Sequence, residues 1–159
     1  MAYFAIDPRP SAGVPGEIHS AKQNTLGVER QFSDGTSLWT CVYLEGAAST
    51  VANDFCTYSP AGVATRIVTT ATGPVAVASA AIVNATYGWF WIIGSVTGTC
   101  ESSCLSNVPI YPLSAGRVDD AIVQNKAILN CVATTAAVAG ATATFTINRP
   151  WVGDMGNSS

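Results

Sequence analysis

Residues 67–100 contain no charged side chain, and the stretch culminates in Tyr87-Gly88-Trp89-Phe90-Trp91-Ile92-Ile93. A run this long and apolar has to be buried, in a protein core or in a bilayer. A spanning helix needs about 20 consecutive, predominantly apolar residues, and here Gly73-Pro74, Ser79, Asn84, Thr86, Gly88 and Gly94 interrupt the run. Strands fit it better: Val75, Val77 and Val83 are β-branched, residues 84–88 are turn-like, and residues 89–93 are apolar at every position. The reading is two buried antiparallel strands joined by a turn at 84–88. Side chains alternate along a strand, so Trp89 and Trp91 point to one face and Phe90 and Ile92 to the other. Both faces must then be covered, which a single open sheet cannot do. Burying a Trp removes about 150–250 Å² from water, an upper bound of roughly 4–6 kcal/mol each. Trp39, Tyr87, Trp89 and Trp91 are accordingly read as core rather than as a ligand platform.

The rest of the chain punctuates in the manner of an all-β domain. Leu26 to Phe32, then Ser33-Asp34-Gly35, then Thr36 to Leu44 reads as a hairpin with Asp-Gly at its two-residue turn. On the second strand Leu38, Val42 and Leu44 face one way and Trp39, Cys41 and Tyr43 the other. Further strands are predicted at 55–58, 63–68, 75–83, 89–96, 108–113, 127–134 and 141–147, separated by Asn, Asp, Ser, Gly and Pro clusters. Residues 117–125 fit a helical turn or a strand equally. No repeat or linker divides the chain. Residues 1–25, with Pro8, Pro10, Pro15, Gly13 and Gly16, read as an extended N-terminal arm. Residues 26–152 form a single domain and residues 153–159 a polar tail. The predicted fold is an all-β sandwich or small β-barrel carrying that arm.

Composition narrows the function classes. Charged residues make up 11% of the chain, the net charge is −3, and the seven Lys and Arg are scattered singly. Neither nucleic acid nor an anionic membrane finds a basic footprint here. Five cysteines at irregular spacing do not resemble a secreted disulfide framework, and residues 1–10 do not resemble a secretory signal, so synthesis in a reducing cytoplasm is expected. Cys100 and Cys104 could form a disulfide, and a zinc site would need two further ligands from Cys131, His19 or the strand cysteines. Cys41, Cys56 and Cys131 read as small core residues. No cofactor motif is present.

Catalytic readings are weak. His19 is the only histidine and lies in the arm, a poor mount for a general base. Asp119 and Asp120 are adjacent and should point apart; they read as a solvated loop or as a partner for Arg117 across a subunit boundary. Thr142, Thr144 and Thr146 form one row, most simply the outer face of a sheet. Aromatics among Trp39, Tyr43, Tyr58, Tyr87 and Trp151 could stack on a sugar, which makes a glycan-binding module the alternative.

Four features occur in a telling order: the Ser33-Asp34-Gly35 hairpin; the Ala/Val-rich strand leading to Tyr87-Gly88-Trp89-Phe90-Trp91-Ile92 and Gly94; Ala115-Gly116-Arg117-Val118-Asp119-Asp120; and Asn148-Arg149-Pro150-Trp151. In these the chain resembles the small capsid decoration, or cement, proteins of tailed bacteriophages over residues 26–152. The resemblance implies an all-β structural protein, without catalytic residues, made in the host bacterial cytoplasm. It implies a homotrimer or other small oligomer on the outer surface of an expanded virion capsid, clamping subunits of the phage major capsid protein. A head fibre or tail component is the neighbouring alternative. Tyr3, Phe4, Ile6, Pro8, Arg9 and Pro10 of the arm, with Arg149 and Trp151, are the expected capsid or subunit contacts. Cys100-Glu-Ser-Ser-Cys104 departs from the family pattern.

Overall fold

The computed structural model describes residues 2–6, 13–138 and 140–153. Its strands, in chain order, are β1 (Phe4–Ala5), β2 (Glu29–Ser33), β3 (Leu38–Glu45), β4 (Phe55–Tyr58), β5 (Ala64–Arg66), β6 (Gly73–Ala78), β7 (Tyr87–Thr99), β8 (Ser103–Cys104), β9 (Tyr111–Pro112), β10 (Val118–Asp119), β11 (Ile128–Ala133), β12 (Ala137–Val138) and β13 (Thr142–Val152). The fold is all-β. Nine strands build one curled sheet, and β9 with β10 and β8 with β12 form two short ribbons.

The charge-free stretch supplies β6 and β7, which pair antiparallel through Val77 with Trp91 and Ala78 with Phe90. Around them β3, β7, β6, β4 and β5 neighbour one another in that order. A bridge between Glu45, at the end of β3, and Val63, just before β5, brings the two ends of this series together. The series is thereby curled into a partial barrel. Alternation along each strand sends Val42, Leu44, Cys56, Ala64, Ala76, Ala78, Phe90 and Ile92 inward, where they pack with Ile82. Cysteine and alanine predominate on β4, β5 and β6 because so narrow a ring has little room. The opposite phase, including Trp39, Cys41, Tyr43, Phe55, Val75, Val77, Trp89 and Trp91, forms a second and larger core on the other face. Phe32 of β2, Phe145 and Ile147 of β13, Cys131 of β11, and Cys100, Ile110 and Val118 close over it. Each strand of the central stretch is thus buried on both sides.

Strands β6, β7 and β13 pair with one another, and every pairing is antiparallel. Three straight strands cannot be mutually antiparallel, so the sheet has to bend where they meet. In β7 the bend falls at Gly94, whose φ of +128° strains any other residue and whose missing Cβ leaves room for the Trp39 indole. In β13 it falls at Arg149, with φ 49°, where residues 148–150 stand opposite Asn130 alone. Beyond that bulge Trp151 and Val152 pair with Pro74 and Gly73 of β6.

Several boundaries differ from the sequence reading. The strand predicted at 75–83 stops at Ala78, because the Ser79 hydroxyl donates to the Trp89 carbonyl and accepts from the Gly16 N–H. The connection therefore occupies residues 79–86, and Tyr87 and Gly88 already belong to β7. The Asp34-Gly35 turn is wider than two residues. Only Gly35 has positive φ there, and the Asp34 carboxylate accepts the N–H groups of Thr36 and Ser37 at 2.9 and 2.7 Å. That side-chain turn replaces the mirror-image backbone turn that Asp-Gly favours. The strand at 108–113 shortens to β9, residues 117–125 supply β10, and the strand at 141–147 runs on through its bulge to Val152. Strands β1, β8 and β12 have two residues each, too few to leave a periodic signal.

Candidate functional site

The N-terminal contact residues lie at the outer edge of the sheet. Strand β1 pairs with β2, Phe4 opposite Ser33 and Ala5 opposite Phe32, and the Ile6 N–H donates to the Gln31 carbonyl at 3.1 Å. Alternation then divides the segment. Tyr3 turns inward and its ring packs against Trp39 and Trp91, with centroids 5.4 and 5.3 Å away. Burial, followed by the Asp34 carboxylate, raises the Tyr3 phenol above its ordinary range. Phe4 and Ile6 turn outward and are 52% and 46% exposed. Across β2 from Phe4 stands Leu38, 53% exposed. The three make an apolar face interleaved with uncharged Ser33, Gln31 and Thr40. Alternation assigns Leu38 to the same face as Val42 and Leu44. It shares that face but not their burial, because β3 begins outside the ring. Pro8, Arg9 and Pro10 lie outside the described residues.

At the other predicted contact, Arg149 gives two hydrogen bonds to Glu29, Nη1 to Oε1 at 2.6 Å and Nη2 to Oε2 at 2.7 Å. This fork ties the bulge of β13 to β2. Trp151 is 50% exposed, and Leu129, its cross-strand partner on β11, is also exposed. Of the residues read as core, Trp39, Trp89 and Trp91 are buried and Tyr87 is half-buried at the margin.

His19 is held more firmly than a free arm would allow. It bridges to Tyr87 on β7, and its Nδ1 lies 2.8 Å from the Tyr43 hydroxyl, which also accepts the Gln23 N–H at 3.2 Å. Its Nε2 lies 3.5 Å from the Glu17 carboxylate. The imidazole therefore sits between a phenol and a carboxylate, an arrangement that fastens residues 13–25 to the barrel and brings no nucleophile to the ring.

Asp119 is buried and Asp120 half-buried, and within the chain neither pairs with Arg117. Asp119 is buried and accepts from the Ser102 N–H and hydroxyl and from the Ala121 N–H, while Asp120 accepts from the Ser103 hydroxyl and the Leu105 N–H. Burial works to raise the Asp119 pKa, but the hydrogen bonds from Ser102 and Ala121 outweigh it and hold the carboxyl below its usual range. Arg117 instead pairs with Glu101 at 3.0 Å. Cys100 and Cys104 are joined by a disulfide, so neither is a zinc ligand, and they close the loop that the two aspartates clamp. Cys41, Cys56 and Cys131 are free and buried, and burial pushes the Cys131 thiol up to about 12 and the other two higher as well, away from reactivity. Among the described residues no group of three or more His, Cys, Asp or Glu is placed to hold a metal, and no helix is long and apolar enough to cross a membrane.

No protein-family model matches the chain, and no curated protein matches it in sequence.

Proposed function

We propose that this protein is a structural component of a tailed-phage virion, binding the outer surface of the expanded capsid and cementing neighbouring major capsid subunits. It acts without catalysis or cofactor, as a homotrimer, with Phe4, Ile6, Arg149 and Trp151 at its contacts. The observation that carries this reading is the apolar face of Phe4, Ile6 and Leu38 on the outermost strands, free of charged side chains and exposed to partners. Exposed apolar groups gathered at one sheet edge favour contact with another protein over solvent. With the motif order that resembles the cement proteins, we take that other protein to be the capsid. On a shell, repetition of one modest contact multiplies into firm attachment.

The test is co-sedimentation of the purified protein with capsids of its own phage, before and after shell expansion. Saturable binding to expanded shells alone is expected, and binding to neither form refutes the proposal. The Phe4→Ser/Ile6→Ser pair is a cleaner probe than deletion of the segment, because deletion also removes Tyr3 from between Trp39 and Trp91. The double variant should fold normally and lose shell binding.

A further inference from the structure

The curled sheet has three ends, at β1, at β5 and at β11, which branches from β13. Two are covered from within the chain. Beside β5 the Glu45 N–H donates to the Gly62 carbonyl at 2.9 Å and Glu45 bridges to Val63. Along β11 the Ile128 N–H donates to the Ile110 carbonyl at 2.8 Å, and the Ala133 carbonyl accepts from the Asn107 N–H at 2.9 Å. Among the described residues no strand or loop pairs with the outer side of β1. Backbone groups alternate along an antiparallel ladder, and the Ile6 N–H is bonded to Gln31 of β2. Phe4 and Ile6 therefore direct their N–H and C=O groups at β2, while those of Tyr3 and Ala5 point away from the sheet.

An open edge is a template for another strand, and proteins commonly guard one with lysine, proline or a bulge. Residues 2–6, Ala-Tyr-Phe-Ala-Ile, hold none of these. The pattern fits the same segment of a second copy. About a two-fold axis at Phe4, Tyr3 of one copy stands opposite Ala5 of the other, and each such pair exchanges two hydrogen bonds. Every outward N–H and C=O of Tyr3 and Ala5 is then satisfied in both copies. Phe4 faces Phe4 of the second copy in the pair that makes no hydrogen bond, where Cα atoms lie about 4.5 Å apart and aromatic side chains meet. A two-fold axis also brings any charge near its own copy, and like charges placed opposite each other repel. Residues 2–6 and their β2 partners Gln31, Phe32 and Ser33 carry no charge.

We propose that two copies of this protein join edge to edge through antiparallel pairing of β1 with β1, in the register that sets Phe4 against Phe4. The contact uses the backbone edge of β1, whereas the exposed side chains of Phe4, Ile6 and Leu38 stand perpendicular to it. Opposed residues share a face, so joining the edges merges two apolar faces into one. The pairing does not depend on the capsid reading. Being two-fold, it links one small oligomer to the next and is not the contact that closes a trimer. Residues 2–6 are about a fifth of the 20–30 residues that a stable interface takes from each side. The pairing by itself is therefore weak, with a dissociation constant of about 0.1–1 mM, and forms where copies are crowded side by side.

The experiment places single cysteines on the edge of the full chain, at positions that are exposed, while the native free cysteines are buried. In this register the two copies of residue 4 lie within the roughly 4.4–6.8 Å between Cα atoms that a disulfide spans. The two copies of residue 6 lie four residues apart along the ladder, about 13 Å. With oxidised glutathione taking up the two electrons and two protons, Phe4→Cys at about 0.5 mM should give a linked pair of chains on a non-reducing denaturing gel. Ile6→Cys should give about 10-fold less. In the wild type, hydrogen–deuterium exchange at the Tyr3 and Ala5 amides should slow about 2–4-fold between about 0.02 and 1 mM protein. Ala5→Pro removes an N–H that β2 does not use, so it should leave the fold intact and abolish that concentration dependence at Tyr3. Equal cross-linking of the two cysteine variants overturns the proposal. Exchange that is the same at every concentration, with neither variant cross-linked, also overturns it and leaves the edge to a strand from another protein.

Discussion

Replacing Gly94 with alanine tests the bend on which the three-way strand pairing depends. The φ of +128° is one that an L-residue tolerates only at a cost of about 1–3 kcal/mol. In addition, the new Cβ would strike Cδ1 of Trp39 and lie 3.1 Å from the Leu38 carbonyl oxygen. Trp39 has nowhere to go: it is 7% exposed, its Nε1–H donates to the Ser95 carbonyl at 2.7 Å, and its ring packs on Tyr3 and Trp91. Forcing atoms into a packed core costs about 1–3 kcal/mol more. The sum is about 2–6 kcal/mol, a large share of the roughly 5–15 kcal/mol that holds a domain folded. Gly73 supplies the control, since its φ is +120° and nothing lies within 4 Å of the position a Cβ would take. Gly73→Ala should therefore show the backbone cost alone. Urea unfolding of both variants, followed by tryptophan fluorescence and far-ultraviolet circular dichroism, separates the two contributions. At about 2–4 °C per kcal/mol for a chain of this size, Gly94→Ala should melt about 10 °C below the wild type. If the two variants are destabilised equally, within about 0.5 kcal/mol, the close approach of Trp39 to Gly94 is refuted.

Other consequences can be measured on the same protein. Reducing the Cys100–Cys104 disulfide, whose cysteines are only four residues apart, should cost about 2 kcal/mol by loop-closure entropy, and an unchanged urea midpoint in reducing agent would show that the bond is absent. Gly13→Ala would drive a methyl into the His19 imidazole, so the Tyr87 amide, which donates to the His19 carbonyl, should exchange with deuterium faster, and unaltered protection would refute the latch. Asp34 is held below its ordinary pKa by the N–H groups of Ser37 and Thr36, and Asp119, against the opposing effect of burial, by the Ser102 hydroxyl and the N–H groups of Ala121 and Ser102. Both contribute stability that is complete above the unfolded carboxylate value, near pH 4, and is lost as pH falls through the lower folded value. The urea midpoint should therefore drop below pH 4, and Asp119→Asn should shrink that drop. Arg149→Gly removes a left-handed strain of about 1 kcal/mol together with an exposed ion pair worth about 0–1 kcal/mol, so stability should change little, whereas Arg149→Val should destabilise.

Much of the architecture was legible because strand periodicity is local. Trp89, Phe90, Trp91 and Ile92 announce burial on both faces from four adjacent positions, and the same double phase recurs at Trp39 to Leu44 and at Val75 to Ala78. Two cores on opposite faces of the same strands follow from that pattern alone. Element ends were less legible where a side chain competes with the ladder: Ser79 halts β6, and the Asp34 carboxylate widens its turn. The aspartate clamp on residues 102–105 left no trace in the sequence, because it depends on Asp119 and Asp120 meeting serines at a separation of 17 residues.

What the sequence by itself determined is therefore the all-β class, the identity of the central strands and the residues that cannot face water. Tertiary structure decided which strands meet, and with that everything offered to a partner. Leu38 and Val42 share one strand and one face, yet only the curl that joins Glu45 to Val63 buries the second and exposes the first. Alternation is a property of neighbouring residues, whereas curvature and register arise from contacts between distant ones, and no local pattern records them.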